Sequence, residues 1–381
     1  MLTSSENWLP SGSNGLKSLF EGFQLQGKYF RNRVWVPPMC QYAAPQGAPT
    51  AWHERHYATL AISSGCVVVE ATAISSVGRV TPEDLVLDDV SLLPAHQRLV
   101  DGIRRAGAVP GIQLCHAGRK GSRSSPWRGD LSLSVKEGGW PILGPSAIAF
   151  GENYAVPGEM TLGDIQQTIR QFVESAQLAE RAGYEVIEVH GGHGRLVHSL
   201  LSPISNLRTD SYGGSFENRC LYAVELARTL RSALRADTIL AFRLSCVDWV
   251  NNGIALEDSV QLSRLLGIEG VALIDCSSGG IVSPILKKTH PGYQVQFSNA
   301  IKVGAGIATA AVGEIFTIEL SESILESAQA DVIMMGRRSL IDPTYLMRCA
   351  ALAGYWDLVP LPYRRAMERL LRAEIQLVPE L

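Results

Sequence analysis

The chain has 381 residues, 46% of them hydrophobic and 19% charged, and its formal net charge is −3. This composition excludes a disordered, fibrous or coiled-coil protein, and the near balance of charges argues against a nucleic acid or an anionic membrane as partner. No apolar run reaches the roughly 18 residues of a membrane span, and the first residues lack the basic and apolar segments of a secretory signal, so we expect a cytoplasmic protein.

Eight short, nearly continuous apolar runs alternate with longer helical patterns, and each run is typical of a strand buried on both faces. The runs are Val34–Met39, Cys66–Glu70, Val109–Leu114, Glu185–Val189, Thr238–Leu244, Val271–Cys276, Ile307–Val312 and Val332–Met335. The helical patterns between them include Pro94–Ala106, Thr161–Ala182, Phe216–Arg235 and Leu256–Leu266. Eight such units predict the α/β class and one (β/α)8 TIM barrel over residues 1–381. A doubly wound open sheet is the alternative.

Some segments do not fit this repeat. Phe20–Arg33 alternates around Gly27 and predicts a hairpin that caps the N-terminal end of the barrel. Residues 117–160 follow the third strand, and so long a loop is usually functional. Residues 1–18 form a polar arm, and residues 359–381 form a tail whose helical pattern places Met367, Leu370, Leu371 and Ile375 on one face.

The seven cysteines are odd in number and form no CxxC pair, so the sequence predicts neither a zinc ribbon nor an iron–sulfur cluster. Several of them lie in apolar runs, which is typical of small buried thiols. We therefore expect no metal site.

Two histidines, His190 and His193, follow the fourth strand among glycines. One interpretation is metal ligation, although no carboxylate follows at a suitable spacing. A second is a pair of N–H donors for a substrate oxyanion or carbonyl, and a third is satisfaction of backbone groups at a strand end. Their glycine spacers and their position at the catalytic end of the predicted barrel favour a functional role over the structural one.

Small and cationic residues end the later strands. Gly313 after the seventh strand, and Gly336 with Arg337 after the eighth, match the phosphate site that barrels often build there. Arg243 lies inside the fifth strand, and a buried arginine requires an anion. That anion is either a core carboxylate or an anionic part of a cofactor.

Taken together, these motifs resemble the Old Yellow Enzyme family of FMN-dependent oxidoreductases over nearly the whole chain. The matching segments are 38–42, 70–73, 113–120, 190–194, 201–206, 208–219, 291–294 and 336–337. Cys40 suggests the cysteine-containing, thermophilic-like branch. The resemblance implies a barrel that binds FMN noncovalently and is reduced by NADPH or NADH in the same pocket.

The resemblance also assigns roles to individual residues. The flavin contacts it implies come from Pro37, Pro38, Met39, Cys40, Ala71, Gln113, Arg243, Gly336 and Arg337. His190 and His193 would bind the activating oxygen of the substrate, and Tyr42 would touch the substrate. Hydride transfer to the β-carbon of an activated alkene would follow.

In the cysteine-containing branch an arginine near the C-terminus enters the site of a neighbouring subunit, and Arg365 is the better match here. This implies a homo-oligomer, a dimer or a tetramer, whereas a solvated helix start is the alternative. Trp127 in the long loop is either a substrate contact or a loop anchor.

Arg195 departs from the family, which usually has a proton-donating tyrosine two residues after the second histidine. A tyrosine can release a proton, whereas an arginine effectively cannot. Three consequences are open: Arg195 points away and solvent or Tyr42 supplies the proton, Arg195 binds a substrate carboxylate or phosphate, or the native reaction needs no such proton.

The leading hypothesis is therefore an NAD(P)H-dependent reductase of the C=C bond in small α,β-unsaturated carbonyl compounds. The alternative within the same chemistry is a specialised flavin dehydrogenase, isomerase or oxidative enzyme acting on an acidic substrate. A flavin-binding protein without catalysis and a metal-dependent aldolase are the alternatives from other classes.

Overall fold

The computed structural model describes residues 17–283 and 289–377, so almost all of the expected polar arm lies outside the described residues. Eight parallel strands close into a barrel, in which the last strand pairs with the first through Ile333 and Val34. The strands are β1 (Val34–Val36), β2 (Cys66–Ala73), β3 (Val109–Cys115), β4 (Val186–Gly191), β5 (Ile239–Ser245), β6 (Leu273–Ser277), β7 (Ala308–Ala311) and β8 (Val332–Met334). The barrel prediction is confirmed, and the doubly wound alternative is wrong because the sheet has closed.

Helices surround the barrel. They are α1 (Lys17–Phe20), α2 (Ala51–Leu60), α3 (Leu93–Arg105), α4 (Leu162–Ala182), α5 (Leu196–Leu201), α6 (Phe216–Ala233), α7 (Leu256–Ile268), α8 (Val295–Ala305), α9 (Ile318–Glu326), α10 (Arg337–Ile341), α11 (Tyr345–Leu352) and α12 (Leu361–Leu377). The longest of them is α4. Thr161 caps its N-terminus, where the hydroxyl accepts the Asp164 N–H, and the left-handed Gly183 follows its last residue.

The first strand is shorter than the apolar run predicts. It ends at Val36, whereas the run continues to Met39. Pro37 and Pro38 explain the difference because proline has no backbone N–H to donate to a neighbouring strand. The chain after Val36 is therefore free to leave the sheet and enter the mouth of the barrel.

The predicted N-terminal hairpin is present, with strands Phe23–Leu25 and Lys28–Phe30. Gln26 and Gly27 both have positive φ, 48° and 77°, as the favoured two-residue hairpin turn requires. Phe23 stacks on Phe30 at 5.2 Å between ring centroids. Both rings belong to a buried cluster that includes residues from the interior of most of the barrel strands, so the hairpin closes the N-terminal end of the barrel.

The long segment after β3 is ordered. It contains short helical turns and a two-stranded pair, Leu143–Gly144 with Gly158–Glu159. The buried guanidinium of Arg119 donates to the backbone oxygens of Ala149 within this segment and of Ile281 beyond β6. The excursion is thereby tied to the C-terminal side of the barrel, where the candidate site lies.

The C-terminal helix packs on α11. Met367 and Leu371 are buried in a cluster with Met347 and Val359. Leu370, three residues after Met367, lies at the edge of this face and is 46% exposed. The side chain of Ile375 lies outside the described residues. No helix in the described ranges is long and apolar enough to cross a membrane.

Candidate active site

The two predicted histidines lie together at the end of β4. Their rings meet edge to face with centroids 5.2 Å apart. His193 has a left-handed φ of 54°, and its backbone N–H donates to the Ser245 hydroxyl at 2.8 Å. Gly280 packs so closely that an added Cβ would lie 2.7 Å from the His193 Cα. The tight glycine turn therefore fixes both rings.

Both imidazoles are neutral, and each has one ring nitrogen engaged by the protein. Burial, aided by the charges of Arg195 and Arg243, holds the pKa of His190 and of His193 well below the usual range. The Nδ1 of His190 accepts the Gly192 N–H at 3.3 Å, which assigns its proton to Nε2. The Nε2 of His193 lies 2.7 Å from the Ser277 hydroxyl, and because a hydroxyl both donates and accepts, either nitrogen of this ring can carry the proton.

A second residue set stabilises this turn from behind. The Nδ1 of His198 accepts the Gly194 N–H at 2.8 Å, and its Nε2 faces Asp248 at 2.9 Å. Both side chains are fully or almost fully buried. Neither residue was predicted, since nothing in the local sequence distinguishes His198 from an ordinary helix residue.

Beneath the histidines, β3 to β6 direct polar side chains into the barrel. Arg243 pairs in register with His190 on one side and Asp275 on the other, and its Nε lies 3.1 Å from the Asp275 carboxylate. Gln113 donates to Glu188 at 2.6 Å. The core-carboxylate interpretation of Arg243 is thus confirmed, although the atoms of this ion pair are not aligned for a hydrogen bond.

Glu188 and Asp275 are functional candidates that the sequence analysis missed. Burial, followed by the charge of Asp275, raises the pKa of Glu188 to about 8, and burial also raises the pKa of Asp275. Strand alternation could have revealed them, because Glu188 lies two residues before His190 and therefore on the same face of β4.

Glu70 on β2 holds the segment that follows β1. A register shift between Val69 and Thr72 marks an irregularity in β2 at Glu70 and Ala71. The Glu70 carboxylate accepts the Gln41 N–H at 2.6 Å and the Tyr57 hydroxyl at 2.9 Å. These bonds position the segment 37–42, which contains four of the predicted flavin contacts, Pro37, Pro38, Met39 and Cys40.

Cys40 and Tyr42 on this segment are half-buried, whereas the other six cysteines are buried as expected. Burial, reinforced by Asp84 and Glu70, raises the pKa of Cys40 well above its usual range, so its thiol stays protonated. Tyr42 has a left-handed φ of 51°, and its ring meets Trp127 edge to face at 5.5 Å. Trp127 thus joins the long loop to the segment 37–42.

The glycines after β7 and β8 lie in closely packed surroundings that no larger residue fits. Gly313 has a φ of 121°, and an added Cβ would lie 2.9 Å from the Gln294 amide. At Gly336 an added Cβ would meet Pro37 at 3.1 Å and Met39 at 3.2 Å. The close packing of Gly336 on Pro37 and Met39 brings the predicted phosphate end and the predicted ring-lining segment together.

Two predicted arginines lie further out. The Arg337 side chain is 62% exposed, its guanidinium 3.6 Å from Glu314 and above the Phe316 ring. Arg365 is exposed on α12, outside the mouth of its own barrel. Arg195, in contrast, is directed inward: its Nε and Nη1 are buried and have no hydrogen-bonding partner among the described residues.

The fold and the mouth of the barrel define a flavin-dependent oxidoreductase of the barrel class. Residues 18–352 match the NADH:flavin oxidoreductase / NADH oxidase family, and the chain belongs to that family, which is of the Old Yellow Enzyme type. It is 38% identical over 354 residues to an NADPH dehydrogenase of Listeria innocua, covering 92% of this chain and 99% of that protein.

Two further likenesses agree. The chain is 39% identical over 350 residues to the NADH:flavin oxidoreductase FG08077 of Gibberella zeae, covering 86% of this chain and 84% of that protein. The structure of morphinone reductase superposes with a TM-score of 0.74 at 21% identity, covering 87% of this chain and 88% of that one, which supports the fold. The protein is therefore an NAD(P)H-dependent flavin oxidoreductase with FMN as cofactor, and the non-catalytic and aldolase alternatives are set aside.

The residues present fit FMN. Gly313 and Gly336 have no Cβ, which suits the close approach of a backbone N–H to a phosphate. Deeper in the mouth, Gln113 keeps Oε1 without a hydrogen-bonding partner in the described part of the chain. A flavin ring with polar atoms on one edge matches this free acceptor.

Proposed function

We propose that the protein reduces the C=C bond of α,β-unsaturated carbonyl compounds. The observation that carries the proposal is the pair of neutral imidazoles at the end of β4, each with one nitrogen engaged by the protein. With Ser277 as the donor to His193, each ring keeps one N–H for the substrate. Two such donors suit a carbonyl oxygen that gains negative charge as the alkene is reduced.

In this proposal Pro37, Pro38, Met39 and Cys40 line the flavin, and Ala71 and Gln113 meet its polar edge. Arg243, beside Asp275, would face the part of the ring that becomes anionic, while Gly313, Gly336 and Arg337 would hold the phosphate. FMN bound here and reduced by NAD(P)H would supply the hydride for the β-carbon of the substrate. Arg337 has to turn from its contact with Glu314 to reach the phosphate, which its exposure permits.

His190 and His193 hold the substrate oxygen and stabilise the enolate. Their neutrality matters because a neutral ring has a single N–H in a fixed place. Such a ring can donate to the substrate oxygen without gaining or losing a proton. The hydrogen bonds from Gly192 to His190 and between His193 and Ser277 fix the rings before substrate arrives, so little reorganisation is needed during the reaction.

Stopped-flow spectroscopy of the anaerobically reduced holoenzyme tests the proposal, with 2-cyclohexenone as acceptor. We expect fast reoxidation by the wild type and a loss of about 100-fold in the His193→Ala variant, as for removal of one oxyanion donor. His190→Asn is the matched control for His190→Ala, because an amide N–H can replace the ring donor and should restore part of the rate.

Reduced enzyme that NADPH produces normally but that 2-cyclohexenone and other neutral enones leave reduced would contradict the proposal. Equal rates in His190→Ala, His193→Ala and the wild type would remove the assigned role of the histidines.

A further inference from the structure

The guanidinium of Arg195 has no anionic or hydrogen-bonding partner among the described residues. Nε and Nη1 are buried without a hydrogen-bonding partner. In the described ranges no hydrogen bond involves Nη2 either, and no carboxylate lies within 4 Å of the side chain. Buried polar groups are nearly always satisfied, and a buried cation is costly without an anion. The N–H donors of Arg195 therefore lack a hydrogen-bond acceptor within the described part of the chain.

The ionisable groups that act on Arg195 do not provide one. They are Cys115, Cys40, Asp84 and Tyr42, and together they outweigh burial and raise the pKa of Arg195 above its ordinary value. The two thiols and the phenol stay protonated, since burial raises the pKa of each of them.

Asp84, the carboxylate of this set, already has other partners. It accepts hydrogen bonds from the Thr81 hydroxyl and from the Val80 N–H, at 2.8 Å and 2.7 Å. Burial raises its pKa to about 6. Asp84 thus offsets the positive charge at a distance and leaves the donors of Arg195 unused.

A second cation lies on the same side of the mouth. Lys120 donates to the His193 carbonyl at 3.1 Å and packs 3.9 Å from the centre of the Phe150 ring. Burial, followed by Arg195, lowers the pKa of Lys120, and the charge of Arg195 is the second cause of the low pKa of His190. An added negative charge here would relieve repulsion among these groups.

We propose that Arg195 forms a carboxylate-binding subsite beside the histidine pair, so that the preferred acceptors are α,β-unsaturated carbonyl compounds that carry a separate carboxylate. The carbonyl part of this inference rests on the proposed function. A carboxylate fits because its two oxygens match the planar array of guanidinium N–H donors. One such group also supplies the one negative charge that Arg195 lacks.

Binding to the oxidised holoenzyme tests the subsite without requiring turnover. The probes are 2-cyclohexenones with a carboxylate at C2, C4 or C5, each beside its methyl ester, and the readout is the change in flavin absorbance on titration. We expect one or more of the acids to bind about 10- to 100-fold more tightly than its ester, as for charge-assisted hydrogen bonds. Arg195→Gln should abolish this preference, whereas Arg195→Lys should retain part of it.

Arg98→Gln is the control, because Arg98 is an exposed arginine on α3 that pairs with Glu54. It should bind acids and esters as the wild type does. Acids that bind no better than their esters in every pair, or a preference that survives in Arg195→Gln, would overturn the subsite. Failure of 2-cyclohexenone to reoxidise the reduced enzyme would contradict the proposed function alone, since these titrations are independent of turnover.

Discussion

An arginine in place of a tyrosine beside the histidine pair changes the proton chemistry of the mouth. Arg195 cannot deliver a proton to the α-carbon at any ordinary pH. The remaining sources are Tyr42 and water. Tyr42 is held in a left-handed backbone conformation that non-glycine residues adopt at a cost, commonly at functional sites. Burial raises the pKa of Tyr42, while the charge of Arg195 opposes this effect.

We therefore expect Tyr42→Phe to slow the reoxidation of reduced enzyme by 2-cyclohexenone about 100-fold, the usual contribution of a general acid. Reduction by NADPH should be unaffected, which provides an internal reference in the same stopped-flow experiment. Tyr29→Phe, at an exposed tyrosine of the N-terminal hairpin, is the matched control. An unchanged rate in Tyr42→Phe would assign the proton to water.

Among individual residues, the sequence identifies those that belong to a recognisable motif. It misses the residues that hold the motif side chains in place. His190, Arg243 and the glycines after β7 and β8 are visible because their residue type is unusual for their position. Ser245, Ser277 and Asp248 are not, because their importance comes from residues that are 52, 84 and 50 positions away in the chain. The unpaired state of Arg195 likewise emerges only from the packing around it.

At the scale of elements, β4 and β6 carry a carboxylate pair whose charge state depends on the barrel. Glu188 has a folded-state pKa of about 8, raised above its ordinary value, so the folded protein binds a proton that the unfolded chain releases at lower pH. Stability from this group is present at low pH and is lost as pH rises towards about 8.

We expect the free energy of unfolding of the holoenzyme to fall as the pH rises from about 4.5 to about 8, and the fall to be smaller in Glu188→Gln. Glutamine preserves the acceptor for Gln113 and has no proton to lose. Denaturant titrations at several pH values measure this difference, with the exposed Glu174→Gln variant on α4 as control. Parallel pH profiles for wild type and Glu188→Gln would refute the assignment.

Neighbouring residues predict some boundaries of helices and strands but not others. The start of α4 at Thr161 and its end before Gly183 are readable because capping is encoded in neighbouring residues. The early end of β1 is readable in principle from Pro37 and Pro38. The irregularity in β2 carries no local signal, because it depends on how Glu70 meets Gln41 and Tyr57.

For the whole molecule, the eight buried runs indicate a parallel sheet covered on both faces, and their number favours a barrel over an open doubly wound sheet. Closure itself is decided by the long-range pairing of β8 with β1. The assembly of the protein remains a prediction. Tyr363 and Leu370, seven residues apart and therefore on one face, are exposed on α12, the helix that carries Arg365. Covering an apolar face of this kind is a common reason for a chain to associate.

We expect a dimer or a tetramer of the 41.3 kDa chain in size-exclusion chromatography with light scattering. Leu370→Asp should lower the mass to that of the monomer, whereas the neighbouring Glu368→Gln should not. Arg365→Ala should keep the oligomeric mass and raise the KM for the acceptor, if this side chain enters a neighbouring site. A wild-type monomer would contradict the prediction.

The aromatic hairpin at the N-terminal end of the barrel affects how ligands enter and leave the site. Phe23, Phe30 and Trp35 fill the N-terminal end of the barrel, so in the described part of the chain the site opens at the C-terminal end. We expect the nicotinamide donor, the acceptor and the product to use this opening in turn, so a tightly bound ligand there should inhibit both halves of the catalytic cycle.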